Sequence, residues 1–113
     1  MVGFTHRAPV VVADLRVLEG PMSGVHVLPL ALDSSAREER DFADRQQRGE
    51  AYEVVLHEST SPGQVAEWLD RDELVRLWPQ LYLPRVVRAA WEHGHPELAV
   101  RGASDVVPSA GNA

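Results

Sequence analysis

The sequence predicts an α+β fold, with an N-terminal β-hairpin or three-stranded antiparallel meander followed by four short helices. Three observations predict it. Two β-rich runs flank the loop signal Gly20-Pro21-Met22-Ser23-Gly24. Cap signatures at Asp44, Ser61 and Asp70 then each open a stretch with helical apolar spacing. All strand-like pieces precede all helical ones, which indicates α+β and not an alternating parallel sheet. The 113 residues suit a single domain. Residues 1–13 read as a flexible N-terminal tail, 14–98 as the domain, and the small, polar stretch 99–113 as a flexible C-terminal tail.

Each element has its own signal. Leu15 and Val17 alternate with Asp14, Arg16 and Glu19, predicting a short strand. After the glycine-rich loop, Val25, Val27, Leu28 and Leu30 predict a second strand running to Leu32, with Pro29 marking an edge or a bulge. Residues 37–42 supply a third short strand, anchored inward by Phe42. Asp44 and Gln47 fit an N-cap with its capping-box partner, for a helix to about Glu58 that buries Ala51, Tyr52, Val55 and Leu56.

Ser61-Pro62-Gly63-Gln64 repeats the pattern and opens a helix burying Val65, Trp68 and Leu69. Asp70 and Glu73 open a third, with Leu74, Leu77 and Trp78 inward. Pro79 is expected to end it by pushing residue 78 out of helical angles. Leu81, Tyr82 and Leu83 form an apolar connector. Pro84 starts the last helix, with Val87, Ala90 and Trp91 on one face, Gly94 as a left-handed cap and Pro96 forbidding continuation. Trp68, Trp78 and Trp91 fall on apolar stripes and are assigned to the core.

Composition excludes several chemistries. Seventeen acids against eleven bases give a net charge of −6, which disfavours general phosphate binding. The absence of Cys removes disulfides, thiolate nucleophiles and Cys-ligated zinc. No apolar run reaches the roughly 20 residues that span a bilayer. Val10-Val11-Val12-Ala13 meets Asp14 too soon for a secretory core, so the expected location is cytoplasmic. The serines lie in turns and tails, none in a Gly-x-Ser-x-Gly elbow. His93-Gly94-His95 straddles a predicted helix end without a third ligand. The expectation is no enzyme, no cofactor and no metal.

Charge distribution carries more information than any motif. Residues 38–73 hold eleven acids and four bases, a local excess of −7. Such a segment suits a basic protein partner, whose association it would steer. The candidate partner-binding residues are Glu38, Glu39 and Asp41, beside the predicted edge strand, and Glu50, Glu53 and Glu67, on polar helix faces. An alternative is a small helix-turn-helix-like transcriptional regulator, because residues 64–69 and 74–78 have the spacing of two short packed helices. Asp70, Asp72 and Glu73 stand at the start of the second, where DNA phosphates would face them, and make direct nucleic-acid binding the weaker reading.

Val17-Leu18-Glu19-Gly20-Pro21-Met22-Ser23-Gly24, Tyr52-Glu53-Val54-Val55-Leu56, the stretch from Leu74 to Trp78, and Leu81-Tyr82-Leu83-Pro84-Arg85-Val86-Val87-Arg88-Ala89-Ala90-Trp91-Glu92 together resemble a known family. It is a family of small actinobacterial antitoxin-like proteins encoded beside AbiEii/MenT-type nucleotidyltransferase toxins. The resemblance covers most of residues 15–98. It implies an antitoxin that neutralises a cognate toxin by direct contact. Such toxins act on tRNA, so the resemblance also implies a basic groove that an acidic, phosphate-mimicking partner would fit.

Overall fold

A computed structural model describes residues 9–29, 32 and 39–99. Two short strands, β1 (Val25–Val27) and β2 (Glu39–Asp41), pair antiparallel. Four helices follow: α1 (Arg45–Glu58), α2 (Pro62–Trp68), α3 (Arg71–Leu77) and α4 (Arg85–Gly94). The α+β class and the strands-then-helices order therefore stand, but the hairpin pairs different residues from those expected. Its partners are the second and third predicted strands, in the register Val25 to Asp41 and Val27 to Glu39.

The first predicted strand is instead a 3-10 turn, Leu15–Val17, capped by the Asp14 side chain on the Arg16 N–H. Leu15 and Leu18 are buried while Val17 is exposed, a spacing of three that suits a turn and not a pleat. The chain then runs over α2: Glu19 N–H donates to the Ala66 carbonyl and Gly20 N–H to the Leu69 carbonyl, both at 2.8 Å. A side chain at Gly20 would bring its Cβ within 2.2 Å of the Trp68 carbonyl carbon, so this crossing needs glycine. Gly24, at φ 87°, makes the turn into β1. Strand β1 ends at Val27, two residues before Pro29, and Leu28 turns into the core.

The caps form as predicted, though their reciprocal halves do not. Asp44 accepts the Gln47 N–H at 3.1 Å, while the Gln47 side chain reaches the Asp41 N–H and ties α1 to β2. Ser61 accepts the Gln64 N–H, and Gln64 Oε1 in turn accepts from the Thr60 N–H. Asp70 accepts the Glu73 N–H, and the Glu73 carboxylate leaves the cap altogether. Pro79 does not expel Trp78 from helical angles. Trp78 lies at φ −47°, ψ −48°, and the chain tightens into a 3-10 turn over Trp78–Gln80 before ending.

Gly94 is likewise helical, with His95 as the cap, and what it contributes is space: a Cβ there would stand 3.3 Å from Val11 Cγ1. Pro96 does not stop the chain either, since residues 96–99 form a further helical turn that buries Leu98. These contacts bring residues 9–13, assigned to the tail by sequence, into the fold. Val12 is buried, and its carbonyl accepts from His95 Nε2 at 2.7 Å.

One core joins all the elements. Phe42, Tyr52, Val55, Val65, Leu69, Leu74, Trp78, Trp91 and Leu98 have no exposed surface. Trp78 and Trp91 pack at 6.3 Å between ring centres, whereas Trp68 is only half-buried, in a cluster with His26 and Phe42. No described helix is long and apolar enough to cross a membrane.

Candidate partner-binding surface

The middle segment sorts its charges by sign. Two of its four arginines turn inward: Arg40 and Arg48 retain 8% and 5% of their surface. Arg48 donates through Nε and Nη2 to Glu73 Oε2, at 3.0 and 2.6 Å, and through Nη1 to the Phe42 carbonyl. Glu73 Oε1 accepts from Arg76 on the same helix. Glu73, which the sequence sets with Asp70 and Asp72 where DNA phosphates would face them, is therefore instead a buried tie between α1 and α3. The buried Arg48–Glu73 pair withdraws one charge of each sign, and the burial of Arg40 withdraws a further base, so the exposed surface of the segment remains acidic.

The expected contact residues fall into separate groups. Glu39 and Asp41 are two apart on β2 and point to the outer face of the sheet, opposite Arg40 and the buried Phe42. Residues facing each other across the ladder share a side, so Val27 and Val25 accompany them. Glu39 is exposed and has no ion pair among the described residues. Asp41 is half-buried and accepts the Ala43 N–H. Glu50 and Glu53 share a flank of α1. Glu50 lies 3.9 Å from Arg40 Nε, and Glu53 accepts the Tyr82 N–H at 2.7 Å. Glu67 is exposed on α2, a third element. Glu38 lies outside the described residues.

Tyr82, expected within the apolar connector Leu81-Tyr82-Leu83, lies outside the core. Its side chain is 88% exposed, with exposed Val86 four residues on at the start of α4. The backbone around it is bonded on both sides. Glu53 fixes its backbone, and Arg88 donates to the Trp78 and Leu81 carbonyls while lying 5.0 Å above the Trp78 ring. Glu92 accepts from Trp78 Nε1 at 2.9 Å and completes the clamp. The signal was present in the sequence: in an extended connector, Leu81 and Leu83 turn inward and the residue between them must turn out.

A cleft of about 250 Å³ beside the start of α3 is lined by Asp14, Arg16, Arg71, His95 and Glu97, among others. Its guanidinium groups are already paired, Arg16 with Asp14 at 2.8 Å and Arg71 with Asp72 at 3.5 Å. The Arg16 side chain and backbone N–H hold the Asp14 carboxyl down at about 2. His95 donates Nε2–H to the Val12 carbonyl, since a carbonyl can only accept, and so serves as a strut. Among the described residues, no three His, Asp or Glu converge to hold a metal. Helices α2 and α3 do stand in sequence as the helix-turn-helix spacing expects, with Asp70 on its cap and Asp72 exposed.

Comparison with protein-family models, with curated proteins and with solved structures finds no match to this chain.

Proposed function

We propose that this protein is a non-enzymatic binding module, an antitoxin that neutralises a nucleotidyltransferase-type toxin by laying carboxylates against a basic groove. The observation that carries the reading is the sorting of charge in the middle segment. Arg40 and Arg48 are withdrawn into the interior while Glu39, Asp41, Glu50 and Glu53 stay on the surface. Surface carboxylates of this kind raise the association rate with a cationic partner and repel polynucleotides competing for it. Tyr82 adds a large exposed aromatic contact beside Glu53, which holds its backbone, and tyrosines are frequent anchors of protein interfaces. The resemblance to the antitoxin-like family supports the same partner class.

The test is co-expression with the product of the adjacent reading frame. A nucleotidyltransferase there should co-purify, with an association rate that falls steeply as salt rises. The pairs Glu39→Lys/Asp41→Lys and Glu50→Lys/Glu53→Lys should divide the effect, the pair on the docking face weakening binding by about tenfold or more. Retention of DNA from the gene's own upstream region, with neither pair affecting protein binding, would overturn the reading in favour of a regulator.

A further inference from the structure

The backbone of β1 offers more than its side chains do. Phe42 N–H donates to the Gly24 carbonyl at 2.9 Å, and these two residues are opposite each other in the ladder's register. Opposed residues in an antiparallel ladder alternate between pairs that exchange both hydrogen bonds and pairs that exchange none. The bonded pairs are thus Gly24 with Phe42 and His26 with Arg40. The Val25–Asp41 and Val27–Glu39 pairs turn their backbone groups away from each other. On the β2 side this is visible directly, because the Asp41 N–H is taken by Gln47 Oε1. On the β1 side the N–H and C=O groups of Val25 and Val27 point away from β2, off the outer edge of the sheet, and no described residue bonds them.

We propose that this edge takes an extended segment of a basic protein as a third strand, with arginines or lysines at alternate positions. The inference rests on the reading of a basic partner and says how part of that partner binds. Pairing supplies the hydrogen bonds and the outer face supplies selectivity. Val25 is 60% exposed there, with Asp41 and Glu39 one strand further in. The added strand would lie two strand spacings, roughly 10 Å, from β2. Arginine side chains from it can lie over Val25 and Val27, covering them with their methylenes and carrying the guanidinium to the two carboxylates. A second copy of this chain fits less well. A two-fold pairing of β1 with β1 puts both outer faces on one side and gathers four carboxylates with no cation among them.

The probe is a short synthetic peptide, Thr-Arg-Val-Arg-Val-Arg-Thr, compared with a scrambled peptide of the same composition and with one N-methylated along a single edge. Binding to the full chain is followed by amide hydrogen exchange and by titration. The alternating peptide should slow exchange at Val25 and Val27. The scrambled and N-methylated peptides should each bind about tenfold more weakly or worse. Val27→Pro removes an outward N–H without removing a ladder bond and should have the same effect. If that variant loses the ladder, the N-methylated peptide asks the same question of the intact protein.

Equal binding of all three peptides, or binding without added protection at Val25 and Val27, would overturn the strand proposal. The acidic-surface reading would survive either result. Failure of the Glu39→Lys/Asp41→Lys and Glu50→Lys/Glu53→Lys pairs to weaken the whole partner would sink that reading separately. A protein dimeric in sedimentation, with Val25 and Val27 already protected in the absence of peptide, would mean that a second copy occupies the edge.

Discussion

The seam between α1 and α3 and the outer face of the sheet are both built from charged residues of the same acidic segment, and they use them in opposite ways. At the seam every charge is committed: Glu73 faces two guanidinium groups and the Phe42 carbonyl takes another donor from Arg48. On the sheet, Glu39 finds no ion-pair partner among the described residues, and the outward backbone groups of Val25 and Val27 find no hydrogen-bond partner among them. A buried ion pair is costly to break because the survivor stays in a medium that cannot solvate it. An exposed carboxylate costs little to leave alone and is free to meet a partner. The seam holds the fold together and the sheet is where a partner can be met.

Substitutions should separate the two regions by size of effect. Glu73→Gln strands Arg48 in the interior, and chemical denaturation should record a loss of about 3–5 kcal/mol. Replacing the pair together, Arg48→Met with Glu73→Leu, should recover most of it; equal losses in both variants would mean the seam acts by shape and not by charge. Gly20→Ala should follow, at about 1–3 kcal/mol, because its Cβ meets main chain that cannot swing aside.

Tyr52→Phe removes the hydroxyl that accepts the Asp70 N–H at 3.0 Å and should cost about 1 kcal/mol at neutral pH. Burial pushes the Tyr52 hydroxyl up to about 12 from 10.0. The neutral form is favoured in the fold, so this contribution is complete below pH 10 and is lost as pH rises through 12. The phenylalanine variant should therefore show a shallower alkaline decline in stability.

Asp14 titrates in the opposite sense. Its carboxyl is held at about 2 by Arg16, so its small contribution is present above its ordinary 3.8 and fades as pH falls toward 2. An NMR titration should show that midpoint, and Arg16→Gln should return it to the usual carboxylate range. Smallest of all is Glu39→Lys, which should leave stability within about 0.5 kcal/mol while altering partner association. A large stability loss there would erase the contrast between the two regions.

The caps, the helix order and the identity of most core residues were legible locally. Asp44, Ser61 and Asp70 each satisfy an orphan N–H within three residues, and Tyr52, Val55 and Leu56 recur at helical spacing whatever lies opposite. The destinations of the second cap residues were not legible. Gln47 and Glu73 have the right spacing for a capping box, but a distant Asp41 N–H and a distant Arg48 compete for them and win. Nor was the strand pairing: Leu15 to Glu19 alternates well enough for a strand, yet α2 lies beneath it and offers the Ala66 and Leu69 carbonyls.

Sequence by itself determined where charge and apolar surface lie along the chain, because caps and helical periods depend on neighbours a few residues away. Tertiary structure alone decided which charges are spent inside and which remain outside. Arg48 and Glu73 are twenty-five residues apart, and only the packing of α1 on α3 gives them the short contact that repays their desolvation. The same packing leaves Glu39, Tyr82 and Val25 exposed, since nothing in their own local sequence could say what would cover them.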